Sequence, residues 1–457
     1  MPQHFMKHHF LKKIIAVSIA VLTTSTTFSM YGDEKATLWG SDRITVDGIV
    51  YYINIEGHGA SAYISYVDCL GPTSGNNTQI VTIQPSVSCY YSYWIKDENG
   101  QEYTVTRGLT GTVTTVGGQF KNNGNIKSVF IPTTVTKITQ DAFSYCENLT
   151  SINIPNSVRS IGTFAFGYCI NLPEITLPNS LDSVGHSVFF NCRKLSSITI
   201  PSSLKYISYA MFNSCVSLKE VNFPPTLTHI FNQAFERCHP LSDLALPESV
   251  TYIGNEAFQD CHRINCITIP ENVTTIGENV FYDAYVDNIN KVIWKARNCT
   301  LVSTENNSPF HEQANINSLI IGPEVEAITG KMFYNYQSIW SGVNTCIYSI
   351  ISQATVPPRI DENCFTPKCY LYATLKVPYE SIEAYREADA WKNFSNIVGY
   401  HFGDVDGDDR ISIADVIELV DIIIAGNGED NPIADTDGDG VISIGDIVKL
   451  IDIILEK

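Results

Sequence analysis

The chain has 457 residues, with 48 acidic and 29 basic side chains and a formal net charge of −19 at pH 7. A chain with this charge has no electrostatic attraction to offer phosphates, which excludes nucleic acid as an expected partner. After the N-terminal region, no segment reaches the ~18 consecutive apolar residues that a membrane-spanning helix needs. The composition therefore predicts no membrane span.

The N-terminus has the pattern of a secretory signal peptide. Lys7, Lys12 and Lys13 precede an apolar run from Ile14 to Leu22, and small residues follow as far as Ser29. This order of charged, apolar and small residues is typical of an export signal that is later removed. We therefore expect residues 1–29 to be the signal peptide, and the mature chain to be secreted, extracellular or attached to the cell surface.

Residues 30–125 favour strands and predict an N-terminal cap with degenerate repeats. Alternating runs such as Gly48–Ile53 and Gln101–Val105 are separated by Gly, Asn and Ser turns. Four aromatic residues in this stretch have two interpretations, a platform for sugar rings or core packing: Tyr90, Tyr91, Tyr93 and Trp94. Core packing is favoured, because aromatic residues at strand spacing usually become buried.

A repeat of 23 residues dominates the middle of the chain. Proline recurs at this interval at Pro132, Pro155, Pro178, Pro201, Pro224, Pro247 and Pro270. Phenylalanine recurs at the same interval at Phe143, Phe166, Phe189, Phe212, Phe235, Phe258 and Phe281. Self-similarity at a fixed period of this length predicts a solenoid, in which each coil buries its apolar side chains against the next coil.

Cysteine also follows the repeat, at Cys146, Cys169, Cys192, Cys215, Cys238 and Cys261. One hypothesis is that these thiols bind metal or form disulfides between coils. The favoured hypothesis is that a small buried side chain is needed where the coil turns away from its strand. With 13 cysteines in the chain, at least one remains unpaired in any disulfide scheme.

The I-P-x-x-[VL]-x-x-I-x-x-x-x-F block resembles the BspA-like leucine-rich repeats of bacterial surface and secreted proteins. The resemblance covers residues 126–400 and implies a solenoid with an insertion near 285–318 and a C-terminal cap at 372–400. We expect stacked parallel strands to expose one broad sheet with small polar columns. One such column comprises Asn153, Thr176, Thr199, Asn222, Ala245 and Thr268.

Two aspartate-rich loops near the C-terminus repeat at an offset of 31 residues and lead into apolar helices. Alternate carboxylates on a tight loop converge on one point, as Ca²⁺ with its six to eight oxygen ligands requires. The EF-hand calcium loop ligates its ion from positions 1, 3, 5, 7, 9 and 12. In the first loop these positions hold Asp404, Asp406, Asp408, Arg410, Ser412 and Asp415. The second loop offers Asp435, Asp437, Asp439, Val441, Ser443 and Asp446. Position 7 contributes only its backbone carbonyl, and position 6 holds Gly440 in the second loop but Asp409 in the first.

The alternative for these acidic runs is a solvated, disordered tail. Disordered tails lack aliphatic stripes, whereas apolar positions here match across the 31-residue offset. The matched pairs are Val416 with Ile447, Leu419 with Leu450, Val420 with Ile451 and Ile423 with Ile454. We therefore expect two equivalent half-motifs that pack face to face, bind two Ca²⁺ ions and are loose or unfolded without them.

Duplicated loops with exiting helices only, Asp at position 12 and the joining stretch Asn431–Asp435 resemble a type I dockerin over residues 403–457. The resemblance implies that a cohesin-type module on a scaffold or surface protein is the partner. Carried over onto this sequence, the recognition residues are Ile413, Ala414, Asp421, Ile444, Gly445 and Asp452. The expected fold class is thus an α+β leucine-rich-repeat solenoid with a small all-α calcium-binding module.

Binding is favoured over catalysis. The sequence contains no H-E-x-x-H, G-x-S-x-G or phosphate-loop motif, and a continuous short repeat leaves little chain for a pocket. We therefore expect a secreted, non-catalytic binding or adhesion protein, whose solenoid binds a protein or glycan and whose terminal module docks to a cohesin. The alternative is an accessory or hydrolytic component of a polysaccharide-degrading complex.

Overall fold

The computed structural model describes residues 79–96, 102–282, 289–302, 307–310, 316–334, 347–401, 403–408, 410–425, 433–437 and 441–455. For residues 87–110 and for the strands before residue 79, only the backbone is described. The chain divides into two compact units, 1–195 and 196–457. None of the described helices combines the length and the apolar character needed to cross a membrane.

The first unit contains 13 strands in its described part. They are β1 (Ala20–Val21), β2 (Thr24–Thr27), β3 (Thr37–Val46), β4 (Ile49–His58), β5 (Tyr63–Pro72), β6 (Ile80–Thr82), β7 (Ser86–Lys96), β8 (Glu102–Val116), β9 (Ser128–Phe130), β10 (Lys137–Ile138), β11 (Ser151–Asn153), β12 (Ser160–Ile161) and β13 (Ser183–Val184). Strands β3, β4 and β5 pair antiparallel, as do β7 and β8. The end of β8 pairs in parallel with β10, so the coils begin on this strand.

The predicted signal peptide lies outside the described residues, except for the backbone of β1 and β2. The proposed sugar platform of Tyr90, Tyr91, Tyr93 and Trp94 belongs to β7, whose side chains at these positions also lie outside the described part. Both interpretations therefore stay predictions.

The second unit begins with strands of two to four residues: β14 (Ser197–Thr199), β15 (Tyr206–Ile207), β16 (Glu220–Asn222), β17 (His229–Ile230), β18 (Asp243–Leu244), β19 (Tyr252–Ile253), β20 (Cys266–Ile269) and β21 (Thr275–Gly277). Its later strands are β22 (Ile289–Trp294), β23 (Asn298–Val302), β24 (Ile316–Ile321), β25 (Ala327–Ile328), β26 (Ser349–Ser352), β27 (Arg359–Ile360), β28 (Thr374–Pro378) and β29 (Asn396–Tyr400). The helices are α1 (Pro367–Tyr372), α2 (Ile382–Glu387), α3 (Ile413–Ala425) and α4 (Ile444–Leu455).

The strands of successive coils pair in parallel, which confirms the predicted stacking. In the second unit, Tyr206 pairs with His229 and His229 with Tyr252, so the register advances by one 23-residue period per coil. The expectation of one sheet is wrong, because the coils of this unit contribute short strands to two seven-stranded parallel sheets, β15 to β27 and β18 to β29, and β14 pairs with β16 in a separate two-stranded sheet. Among the described residues, α-helices begin only at Pro367, so turns join the strands of the coils.

The predicted polar column is exposed along most of its length. Asn153, Thr176, Thr199 and Asn222 face solvent, and Thr268 is half-buried. Its inward neighbours are apolar, because successive strand residues point to opposite faces. Within each unit, most of the positions predicted to be polar and outward-facing are therefore exposed.

Phenylalanine rings form the centre of each stack. In the first unit, Phe143 stacks on Phe166 and Phe166 on Phe189, with ring centroids 5.6 Å apart. In the second unit, the ladder runs through Phe212, Phe235, Phe258, Phe281, Phe310, Phe333 and Phe365, at 5.2 to 5.7 Å. The rings of the ladder are almost completely buried, so each coil supplies one ring to a common core.

The repeat cysteines are buried free thiols. Five of them, Cys146, Cys169, Cys192, Cys238 and Cys261, donate to the carbonyl of a phenylalanine in the preceding coil, as Cys169 Sγ does to Phe143 O at 3.3 Å and Cys238 Sγ to Phe212 O at 3.3 Å. Burial raises the pKa of Cys146 and Cys192 to about 12. The repeat cysteines therefore have the packing role that was favoured from the sequence. None of these six cysteines forms a disulfide in the structure.

The later coils stay in register although the sequence repeat is interrupted. The pairing offset grows from 23 residues between Asp243 and Cys266 to 25 from Cys266 to Lys291, 27 from Lys291 to Ser318 and 31 from Ser318 to Ser349. The extra residues lie between the paired strands, partly in 283–288, 303–306, 311–315 and 335–346, which are outside the described part.

The last coil is closed by α1, α2 and two aromatic side chains. Trp391 Nε1 donates to Pro358 O at 2.6 Å, and the Phe394 ring lies 5.5 Å from Phe365, the last ring of the ladder. The Tyr385 hydroxyl donates to Ala354 O at 2.9 Å. These side chains shield the final coil from water, as an end cap of a solenoid must.

Candidate metal centre

The first aspartate-rich loop folds its carboxylates toward one another. Asp404, Asp406 and Asp408 each place a carboxylate oxygen within 4.8 Å of the other two. The Asp408 amide donates to Asp404 Oδ1 and to Asp406 Oδ1, both at 3.0 Å, which closes the loop. Gly407 between them has φ +76°, a left-handed conformation that glycine adopts without steric cost.

The second loop forms an equivalent cluster with a different membership. Asp435, Asp437 and Asp446 bring carboxylate oxygens within 4.8 Å of one another. The remaining predicted carboxylate of this loop, Asp439, lies outside the described residues, as do Gly440 and the first loop's Asp409. Both clusters offer oxygen atoms only, the donor type that Ca²⁺ prefers.

The position-12 aspartates are the most buried carboxylates of the module and brace both loops. Asp415 Oδ1 accepts from the Val405 amide at 2.7 Å, and its Oδ2 accepts from the Ser412 amide at 2.7 Å. Asp446 repeats this arrangement, with Oδ1 accepting from the Asp437 amide at 3.1 Å and Oδ2 from the Ser443 amide at 2.7 Å. Both side chains are 0% exposed.

The position-9 serines cap the exiting helices. Ser412 Oγ accepts from the Ala414 amide at 3.1 Å, and Ser443 Oγ accepts from the Gly445 amide at 3.0 Å. Together with Asp415 and Asp446, they form reciprocal capping boxes. Their hydroxyls therefore cap the helices. Direct coordination of Ca²⁺ by these serines stays a prediction, as does coordination by the backbone carbonyls of Arg410 and Val441.

Burial of several carboxylates in a small volume is electrostatically costly. Asp404 is 6% exposed and Asp435 7%, and the described partners of Asp415 and Asp446 are backbone amides and the Thr436 hydroxyl rather than basic side chains. Desolvation raises the pKa of Asp406 above its usual value against the hydrogen bond from the Asp408 amide, and repulsion from Asp415, Asp408 and Asp404 adds to the rise. A divalent cation would offset this repulsion, so the residues present fit Ca²⁺.

A small core joins the two halves of this segment. Val405, Leu419, Ala434 and Leu450 are buried, and Val416, Ile423, Ile447 and Ile454 are among the half-buried residues packed against them. Three of the four predicted pairs therefore pack. For the fourth pair, Val420 and Ile451, the prediction of burial is wrong at Ile451, whose side chain is 40% exposed.

Two glycines allow close approaches around this core. A Cβ on Gly403 would lie 2.7 Å from Leu450 Cδ1, and a Cβ on Gly445 would lie 2.7 Å from Asp437 Oδ2. Gly445 therefore has a structural role beside the second loop as well as the recognition role predicted for it.

The predicted recognition residues all lie on the surface. Ile413 is 70% exposed and Ile444 72%, and Ala414, Asp421, Gly445 and Asp452 are also exposed. Ile413 and Ile444 also begin two exposed strips, here called the apolar stripes, one on each helix. The α3 stripe comprises Ile413, Ile417 and Ile424, and the α4 stripe comprises Ile444, Val448, Ile451 and Leu455.

Sequence analysis missed most of the apolar stripes, although a signal was present. Both helices carry apolar residues on two faces, and only one face can pack against the partner helix. Spacings of four and eleven residues from Ile413, and of four, seven and eleven residues from Ile444, distinguish the second face from the first.

Comparisons with known proteins concern the coils. The sequence profile for the BspA type leucine rich repeat region matches residues 117–242 and 228–366, with six copies. No curated protein sequence matches the chain. A leucine-rich repeat protein from Bacteroides ovatus is 19% identical and covers 78% of this chain and 99% of its own, with a TM-score of 0.46.

Two further solved structures are similar. A leucine rich cell surface protein from Faecalibacterium prausnitzii is 19% identical and covers 78% of this chain and 94% of its own, with a TM-score of 0.39. A leucine-rich repeat protein from T. pallidum is 26% identical and covers 43% of this chain and 82% of its own, with a TM-score of 0.36.

Proposed function

The chain belongs to the BspA-type leucine-rich repeat family, and on that premise we propose that it is a secreted, non-catalytic binding protein of the cell surface. Its coils would bind a protein or glycan ligand. Its terminal segment, residues 403–457, would act as a calcium-dependent dockerin-like module that attaches the coils to a cohesin-type partner.

The observation that carries this proposal is the duplication of both the acidic cluster and the apolar stripe. Each half of the terminal segment combines three converging carboxylates with a helix whose outer face is apolar. A cluster of exposed isoleucines on a highly acidic segment is costly in water unless a partner covers it. The same segment thus holds a site for a cation and a surface for a protein.

The two features are connected through the helix starts. Asp415 and Asp446 belong to the loop networks and also stand in the first turns of α3 and α4. Asp404, Asp406 and Asp408 in the first loop, and Asp435, Asp437 and Asp446 in the second, would hold the ions. A bound Ca²⁺ supplies positive charge to a segment with 15 acidic and only three basic side chains. Loss of that charge would loosen the helix starts and with them the apolar stripes.

A wide sheet face suits the binding role assigned to the coils. In the first unit Asn153 and Thr176 are exposed, and in the second unit Thr199 and Asn222 are exposed, so each unit presents small polar side chains on its surface. Export is proposed from the charged, apolar and small-residue order of residues 1–29.

The docking role can be tested by pull-down from a surface extract of the source bacterium, in calcium and in a chelator. We expect a partner to be captured by the full chain in calcium only, and capture to fall at least tenfold in the double variant Ile413→Asp and Ile444→Asp. Val356→Asp is the matched control, because Val356 is 76% exposed but lies outside the module. If the same amount of partner is captured with and without calcium, and by the double variant as by the wild type, the docking role is contradicted.

A separate incubation with plant and mucin polysaccharides tests for catalysis. Released sugar would favour the hydrolytic component of a polysaccharide-degrading complex instead.

A further inference from the structure

Four aromatic rings form a compact, partly exposed group on the coils of the second unit. Phe231 lies within 5.9 Å of the rings of Tyr206, His229 and Tyr252, measured between centroids. His229 and Tyr252 are also stacked on each other at 5.7 Å with an interplanar angle of 27°. These four residues are here called the ring platform.

The ring platform stands on the outer side of the sheet from β15 to β27. Tyr206, His229 and Tyr252 pair along β15, β17 and β19, and the next residue of each strand, Ile207, Ile230 or Ile253, is fully buried. The rings therefore point away from the core. Phe231 is 37% exposed, and nearby Tyr209 is 43% exposed.

Other coils of the same chain show that the fold does not need these rings. The repeat position of Tyr206, His229 and Tyr252 holds Lys137, Ser160, Ser183 and Thr275 in other coils. The repeat position of Phe231 holds Gly162, Gly185, Gly254 and Gly277. The platform rings are thus not required by the fold, because other coils form with non-aromatic residues at these positions.

The immediate border of the ring platform is polar and uncharged except at one edge. Thr228 Oγ1 lies 2.8 Å from His229 Nδ1, and Thr251 and Thr274 continue its column. Asn232 and Asn255 follow on the other side, and each Oδ1 accepts a backbone amide of the next coil, at 3.2 and 3.3 Å. Lys205 is the charged residue at the edge.

We propose that the ring platform is a binding site for a neutral polysaccharide. Flat aromatic faces surrounded by hydroxyl and amide groups suit sugar rings, which present apolar C–H faces and a hydroxyl edge. A cationic partner finds no carboxylate among the platform residues, and an anionic polymer finds a single bordering cation, Lys205, on a chain whose net charge is −19. The ligand that best complements the ring platform is therefore uncharged and rich in hydroxyl groups. This inference rests on the proposed binding role of the coils and names its ligand class and place.

Affinity electrophoresis of the full chain in calcium tests this site. The gels contain barley β-glucan, xyloglucan, galactomannan or arabinoxylan as neutral probes, and polygalacturonate as the anionic probe. We expect at least one neutral polymer to retard the protein and polygalacturonate not to. The variant Phe231→Gly, and the double variant Tyr206→Ser with Tyr252→Ser, should weaken that retardation at least about tenfold, the effect of one lost ring contact.

The substitutions use residues that other coils already carry, so the variants should keep the wild-type melting temperature. Tyr145→Ser is the matched control, because Tyr145 is a half-buried ring stacked on Tyr168 at 4.5 Å in the first unit, and Ser214 occupies the same repeat position. Three results would overturn the proposal: no retardation by any neutral polymer, unchanged retardation in the platform variants, or equal loss in Tyr145→Ser. If no polysaccharide retards the protein but its coils capture a surface protein, the polysaccharide site is excluded and the proposed binding role of the coils remains.

Discussion

Glu236 is a buried carboxylate on the turn side of its coil, only 8% exposed. Its Oε2 accepts from Asn213 Nδ2 at 2.6 Å, and Arg237 Nε lies 3.6 Å from its Oε1. Burial raises its pKa, and repulsion from Glu256 and Asp260 adds to this effect, against the attraction of Arg237. The charged form is therefore less stable in the folded protein than in the unfolded chain.

Replacing Glu236 with Gln should stabilise the protein at neutral pH. The unfolded carboxyl titrates near ~4.3 and the folded one higher, so its contribution to stability is complete at low pH and is lost as the pH rises through the folded pKa. We expect Glu236→Gln to raise the melting temperature by about 1–3 °C at pH 7 and to have no effect near pH 4. Melting curves across this range check the sign, with exposed Glu220→Gln as the control. A lower melting temperature at pH 7 would contradict the account.

The repeat thiols should be inert in the folded protein, because the thiolate is the reactive form and their pKa values are raised by burial. Native protein treated with iodoacetamide at pH 8 should keep Cys169 and Cys238 unmodified. Exposed Cys266 in the same sample should react. Peptide mass spectrometry separates these sites, and rapid labelling of the repeat thiols before unfolding would refute their packing role.

At the scale of elements, the phenylalanine ladder is the main source of cohesion between coils. Phe166 contacts rings on both sides, Phe143 and Phe189. Phe166→Ala should therefore lower the free energy of unfolding by about 3–5 kcal/mol, and Phe166→Leu by less. Denaturant unfolding measures this difference. Phe130→Ala, at a 51% exposed ring, should change it by less than about 0.5 kcal/mol. Equal effects at the two sites would show that the ladder is not the core.

The sequence period was sufficient to predict the coils, because identical spacing forces identical contacts. It could not reveal the second sheet, whose strands in the regular coils have only two or three residues, such as β15 and β17. It also could not reveal two left-handed residues per coil. In one coil these are Phe164 and Tyr168, with φ 59° and 61°. The equivalent positions elsewhere hold residues of unrelated type, so no local preference marks the turn.

In the terminal segment, the sequence predicted which carboxylates converge better than which helix faces are exposed. Alternating aspartates specify a converging loop by their spacing. The structure brings three of them together in the first half, and in the second half it brings Asp435 and Asp437 together with Asp446 of position 12. Whether an isoleucine of α3 or α4 packs or faces solvent depends on how the two helices cross. Ile451 was assigned to the wrong face for this reason.

At the scale of the whole molecule, charge is concentrated where we propose that the ions bind. Residues 403–457 contain 15 acidic and three basic side chains, so they carry −12 of the net charge of −19. Such a segment folds more readily when cations are bound, and its stability should rise with calcium concentration. In this account the coils are the ligand-bearing part and the terminal segment is the part that attaches them.

A chelator should therefore unfold only the terminal segment and leave the coils folded. Excess EGTA should remove the circular dichroism of α3 and α4 and leave the main melting transition of the coils unchanged. Added calcium should restore the helical signal. Simultaneous loss of the strand signal would contradict this separation of roles.

The most direct measurement is a calorimetric titration of the metal-free full chain with calcium. We predict two ions per chain, one ion after either Asp404→Ala or Asp435→Ala, and two ions in the control Glu220→Ala. An absence of binding heat in the wild type, or two ions still bound after both aspartates are replaced, would contradict the claim that the duplicated loops are calcium sites.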